Sequence, residues 1–111
     1  MTVAEAAGAL GLEVLTGQPN LGKTITGACV SDLLSYVMGS AKAGNLWITI
    51  QVHPNVVGVG ELLDLAAIVM ADGQDPETAT LEKARQHGVT IMKSRDTAFV
   101  VAGRLYTLGV T

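Results

Sequence analysis

The chain has 111 residues, a length that holds one hydrophobic core and no added substrate domain. Apolar residues make up 49% and charged residues 15%, which excludes disorder and leaves too few charges to coat a small globule. A net charge of −3 gives no electrostatic footprint for nucleic acid or an anionic membrane, and neither is expected as a partner.

Thr2-x-x-Glu5 forms a capping box, and Val3, Ala6, Ala7 and Leu10 follow at helical spacing until Gly11 stops the helix. LEVLTG then reads as a short strand and turn, GQPNLG as loop chemistry, and ITGACV (25–30) as a β-branched second strand. Ser31 and Asp32 are expected to cap a helix burying Leu33, Leu34, Val37, Met38 and Ala41. After Gly44-Asn45 comes the strongest strand, LWITIQV at 46–52, then a helix with Val59, Leu62, Leu63 and Ala66 on one face. AIVMA is a short apolar strand closed by Asp72-Gly73, and Asp75-Pro76-Glu77 starts a helix ending at His87-Gly88. VTIM is the last strand, and Asp96 opens a final helix bearing Ala98, Phe99, Ala102, Leu105, Tyr106 and Gly109. Helices alternating with short apolar strands, with no long linker, define an α/β layered domain spanning 1–111. Its sheet is expected to be small and mainly parallel, with about four strands flanked by helices.

A single cysteine, Cys29, excludes an intrachain disulfide and a thiolate metal cluster, and its mid-strand position reads as a buried, inert thiol. The N-terminal segment lacks a basic run and carries Glu5 where a signal peptide is apolar. The uncharged stretch 43–60 contains Asn45, Gln51, His53, Pro54 and Asn55, which a lipid-exposed helix does not tolerate. A soluble cytoplasmic protein is the expectation. With so few charges, a second copy in a symmetric homodimer is the simplest cover for the remaining apolar surface.

Residues 17–24, GQPNLGKT, fill every fixed position of the G-x-x-x-x-G-K-[ST] phosphate loop. Such a loop needs a helix leaving it, whose N–H groups and dipole hold the phosphates. Thr24, Ile25, Thr26 and Gly27 are instead three β-branched residues and a glycine, and Pro19 removes an N–H donor from the loop. The expected structure is a polar, hairpin-like connection with Lys23 solvated. Asp72, at the end of AAIVMAD, reads as a turn former rather than a magnesium ligand.

Two polar clusters are candidates for a ligand. Alternation along LWITIQVHPN puts Thr49, Gln51 and His53 on one face of a strand whose central position calls for apolar residues on both sides. Gln51, His53 and Asn55 would stand beyond the carboxyl end of that strand, where open α/β sheets bind ligands; an edge strand with a wet face, or a dimer interface with hydrogen-bonded polar groups, is the alternative account of them. Thr26, Gly27, Ser31 and Asp32 form the second cluster, at a strand-to-helix turn on the preceding strand, so the two are expected to line one crevice. The catalytic inventory is thin: His53 and His87 lie in different elements, and there are no paired carboxylates, nucleophile elbow or metal-spaced cluster. No cofactor and no metal are expected.

The run from Thr24 to Gly73 resembles the DRTGG domain family, and the resemblance extends from about Val3 to Val110. Thr26 and Gly27 match the family's Thr-Gly, while Gly22 and Lys23 stand where Asp and Arg are usual and Ala28 replaces the second glycine. The resemblance implies an α/β domain similar to the N-terminal domains of HPr kinase and of a Mur ligase. It implies a regulatory or dimerising role of the kind such domains have beside phosphotransacetylases and CBS-containing pyrophosphatases. Stand-alone copies near iron hydrogenase genes imply a bacterial setting. Three functions stay open. The first is a non-catalytic regulatory or scaffold domain that dimerises and binds a small polar metabolite or nucleotide. The second is a docking subunit that meets a larger enzyme through its apolar surface. The third is a small nucleotidase using the GQPNLGKT loop.

Overall fold

A computed structural model describes residues 1–111. In chain order the elements are α1 (Val3–Leu10), β1 (Glu13–Val14), a short 3-10 turn (Gln18–Asn20), β2 (Gly27–Val30), α2 (Leu34–Ser40) and β3 (Asn45–Thr49). They continue with α3 (Asn55–Leu62), β4 (Ala67–Met70), α4 (Thr78–His87), β5 (Ile91–Lys93) and α5 (Ala98–Thr107). The sheet has five strands in the order β1-β5-β4-β3-β2. β2, β3, β4 and β5 pair in parallel, and the two-residue β1 joins β5 antiparallel. No helix is long and apolar enough to cross a membrane.

Each parallel strand is added on the same side of its predecessor, so right-handed crossovers carry α2, α3 and α4 to one face of the sheet. Trp47, Ile68, Met70 and Ile91 meet Val37, Val56, Val57 and Ala84 there. The opposite face is covered by α1 and α5, whose Val3, Ala6, Leu10, Val101 and Leu105 pack on Leu46, Ile48, Val69 and Met92. Both faces are covered, so the central strands are apolar throughout: every residue of β3 and of β4 is buried.

Local chemistry holds where it is self-contained. Thr2 and Glu5 make the capping box, with Thr2 N–H donating to Glu5 Oε1 at 3.0 Å and Glu5 N–H to Thr2 Oγ1 at 3.2 Å. Elsewhere the neighbours move the boundaries. Ser31 and Asp32 do not cap α2: the cap position is Leu33, with no side-chain bond, because the Asp32 carboxylate is held by β3. Of the five residues expected on its buried face only Val37 is deeply buried, while Leu33 is 64% exposed and Met38 42%, since α2 is the outermost helix of its layer and has only α3 beside it. β3 ends at Thr49, three residues before the expected end, because Ile50 N–H turns to the Asp32 side chain instead of continuing the ladder. α3 buries Val56, Val57, Val59 and Gly60 and leaves Leu62 exposed; Leu63 to Ala66 form the turn into β4. α4 starts at Thr78 rather than at Pro76, because Glu77 N–H donates to the Val52 carbonyl and holds the entry extended. α5 is capped by Thr97, whose Oγ1 accepts from Val100 N–H, while Asp96 pairs with Arg104 at 3.2 Å.

Candidate functional site

The loop GQPNLGKT closes on the body of the protein and not around an open anion site. Three of its N–H groups are engaged within the loop: Asn20 donates to the Gly17 carbonyl, Leu21 to Gln18 and Lys23 to Asn20. Thr24 bridges to Thr2, and the chain then enters β2, so no helix follows Lys23. Gly17 has φ 74°, and a Cβ there would stand 2.6 Å from Thr90 Cα. Thr90 Oγ1 donates to the Gly17 carbonyl at 3.0 Å, and Asn20 Nδ2 to the Gly88 carbonyl at 2.7 Å. The loop is thus a clamp over the start of β5, and its first glycine is required for close approach. Lys23 is half-exposed, with its Nζ 3.8 Å from the Asp64 carboxylate.

At the carboxyl ends of β2 and β3 the polar side chains form one bonded group. Asp32 Oδ1 accepts from Thr49 Oγ1 and from Ile50 N–H, both at 2.8 Å. Gln51 Nε2 donates to the Asp32 carbonyl at 2.9 Å, and Gln51 N–H to Thr49 Oγ1 at 3.1 Å. Ser31 Oγ accepts from Leu33 N–H, and the Ser31 carbonyl takes the Trp47 indole N–H at 2.8 Å. His53 Nδ1 accepts from Asn55 N–H at 3.1 Å, which exposes the other ring nitrogen and the Asn55 side chain at the start of α3. Thr49 is buried, Ser31 and Gln51 are partly buried, and Asp32, His53 and Asn55 are exposed. Asn55 also lines an apolar groove of about 430 Å³ between α2 and α3, with Leu34, Met38, Val59, Leu62 and Lys83. The rim therefore offers an unshared carboxylate oxygen, amide groups and an imidazole beside an apolar trough. That combination suits hydrogen bonding to a polar ligand with an apolar portion.

Thr26 and Gly27 are not part of this group. They lie at the amino end of β2, at the opposite end of the sheet, because β2 runs parallel to β3 and all carboxyl ends share one side. The expected single crevice for both clusters is therefore corrected: Ser31, Asp32, Thr49, Gln51, His53 and Asn55 come together, and Thr26 and Gly27 do not. Thr26 Oγ1 donates to the Ala43 carbonyl at 2.7 Å and accepts from Asn45 Nδ2 at 3.1 Å. A Cβ on Gly27 would meet Asn45 Nδ2 and the Thr111 carbonyl at 3.1 Å. These two residues close the crossing between β2 and β3.

Sequence reasoning missed Asn45, Trp47 and Thr80. Asn45 joins Thr26 to the Lys42 N–H, Trp47 fastens the end of β2, and Thr80 Oγ1 donates to the Val52 carbonyl at 2.6 Å. The only signal was Asn45 beside Gly44, which reads as a turn; the other two act through partners distant in sequence. No buried side-chain nitrogen or oxygen lacks a hydrogen-bond partner. Burial pushes the Cys29 thiol above its ordinary pKa. No three His, Cys, Asp or Glu side chains are grouped to hold a metal ion.

No family model matches the chain, and no curated protein does. Among solved structures this α/β fold is found in a regulatory region that contains CBS and DRTGG domains. It belongs to a Clostridium perfringens pyrophosphatase in complex with its activator, diadenosine tetraphosphate. The match has a TM-score of 0.72 at 13% identity, covering 94% of this chain and 45% of that one. The likeness supports a DRTGG-like fold, and this chain spans less than half of that structure's length.

Proposed function

We propose that this chain is a regulatory domain of the DRTGG family that dimerises and binds a small polar metabolite or nucleotide. Its ligand sits on the rim formed by Asp32, Gln51, His53 and Asn55, with Ser31 and Thr49 holding that rim in place. The observation that carries this reading is the gathering of these groups at the carboxyl ends of two adjacent parallel strands, beside an apolar groove. The pyrophosphatase regulatory region, which holds a nucleotide activator, supports the nucleotide class. The domain's part is to shift a partner activity through binding, with no chemical step of its own.

A thermal-shift screen with nucleotides and polar metabolites tests this. A ligand at about a hundred times its dissociation constant adds roughly 2.7 kcal/mol, which raises the Tm of a domain this size by about ten degrees or more. The shift should shrink in His53→Ala and Asn55→Ala, whose side chains carry no bond in the core. No shift with any compound, or a shift that both variants retain, removes the site.

A second reading rests on α5, on the opposite face of the sheet from α2 and α3, where Phe99 is 87% and Tyr106 69% exposed. Such a surface fits a docking subunit for a larger enzyme. A single stoichiometric enzyme recovered from the native host, lost in Phe99→Glu, together with an empty ligand screen, favours docking.

A further inference from the structure

We infer that the fork where β1 and β5 part is a binding site for a free α-amino acid, held by its two opposite charges. The site is separate from the rim at the ends of β2 and β3, because β4 lies between β3 and β5, and it does not rest on the reading of that rim. Glu13 and Lys93 are the last pair of the β1–β5 ladder. Beyond them the two segments separate: the chain comes into β1 from the end of α1 through Gly11, at φ 65°, and leaves β5 through Ser94 and Arg95 toward α5. A cavity of about 270 Å³ opens between them, with Gly11 and Glu13 on one side and Lys93, Ser94, Arg95 and Asp96 on the other. At the roughly 30 Å³ that a water molecule occupies, this volume holds about nine heavy atoms, the size of a medium amino acid. The fork also lies at the carboxyl end of β5, the end of an open parallel sheet where ligands bind.

The charges in the cavity are divided between its two sides. Lys93 is paired with Asp75, and Asp96 with Arg104 at 3.2 Å. Glu13 and Arg95 line the same cavity, yet neither forms an ion pair with the other or with any other residue. The backbone repeats the division. On the β1 side the Gly11 carbonyl accepts no hydrogen bond, and on the β5 side the Arg95 N–H donates none. Acceptors thus stand on one wall and donors on the other.

That division selects the ligand. An anion alone would meet the Glu13 and Asp96 carboxylates, and a cation alone would meet Lys93 and Arg95, so either is opposed by like charge. A small molecule with one charge of each sign is opposed by neither. The planar carboxylate of an amino acid suits the paired N–H groups of the Arg95 guanidinium, with the Arg95 backbone N–H as a further donor. Its ammonium suits the Glu13 carboxylate and the Gly11 carbonyl.

The test is calorimetric titration of the full chain with each of the common amino acids. At least one should bind at millimolar concentration or below. Glu13→Gln and Arg95→Gln should each weaken that binding by at least about tenfold, and His53→Ala should leave it unchanged. Analogues of the bound amino acid that lack either the amino or the carboxyl group should lose affinity to the same degree. No binding by any amino acid, or affinity that survives both substitutions, overturns the site and leaves the rim standing. Binding lost in His53→Ala and kept in Arg95→Gln moves the amino acid to the rim, and analogues that bind equally well overturn the ligand class. Glu13 and Arg95 are exposed, and the analogues probe the unaltered chain, so a variant that fails to fold does not blunt the test.

Discussion

Asp32 and Thr49 are joined across the ends of β2 and β3 by a 2.8 Å hydrogen bond between the carboxylate and the hydroxyl of Thr49, a residue only 1% exposed. The same carboxylate oxygen caps Ile50 N–H at 2.8 Å, so one side chain ends the strand and fixes its direction of exit. Thr49→Val removes this bond and the one its hydroxyl accepts from Gln51 N–H, and should cost about 1 kcal/mol or more, lowering Tm by at least roughly four to eight degrees. Asp32→Ala should cost more than Asp32→Asn, which keeps an acceptor oxygen in place. Thermal denaturation followed by circular dichroism ranks the three variants, and an Asn variant as unstable as the Ala variant contradicts the geometry.

Gly17 and Lys23 invert the expectations of a phosphate loop. Gly17→Ala meets both a positive φ and the backbone of Thr90, and should cost about 2 kcal/mol or more. Lys23→Ala breaks only an exposed pair and should change stability by less than about 0.5 kcal/mol. Chemical denaturation of both variants decides this, and a nucleotide-dependent stabilisation lost only in Lys23→Ala would restore the phosphate-binding reading.

The Thr2 backbone N–H, and with it the Thr2 side chain, hold the Glu5 carboxyl below its usual range. A lowered folded value means that this contribution to stability is present above the unfolded pKa and is lost as pH falls through the folded one. Glu5→Gln should therefore flatten the loss of stability below about pH 4.3, the ordinary glutamate value. Thr2→Ala should cost about 1 kcal/mol near neutral pH. Denaturation curves across pH 3–7 separate the two effects.

Cys29 is buried and its thiol pKa is raised, so access and ionisation both oppose its reaction. Alkylation of the folded chain should run at least about a hundredfold slower than of the unfolded chain, read by mass spectrometry. Because the raised value belongs to the folded state, stability should fall as pH climbs above the ordinary thiol range of about 8.5. Cys29→Ala should remove that alkaline slope.

Much of the architecture was legible because its signals are local. The Thr2-x-x-Glu5 box places α1, and the apolar runs at 46–49 and 67–70 are β3 and β4. The run Thr24-Ile25-Thr26-Gly27 argues against a phosphate loop without coordinates, because β-branched residues and glycine do not start the required helix. What misled was also local: Ser31 and Asp32 have the chemistry of a helix cap, yet Asp32 spends its carboxylate on β3. The strand read in LEVLTG is β1, but its antiparallel pairing with β5 was not legible, because two residues carry too little pattern to fix a direction.

The sequence by itself determined an α/β layering, the polar break at Thr49, Gln51 and His53, and a chain too poor in charge to cover its own surface. Periodicity and composition suffice for that, since each residue's preference acts over a turn or a strand. Only the tertiary structure decided which end of the sheet each polar residue occupies, separating Thr26 and Gly27 from Asp32 and Gln51. It also decided that β2 is an edge. Direction and order of strands arise from pairing between distant segments, and the side chains of one strand carry no record of which neighbour it lacks.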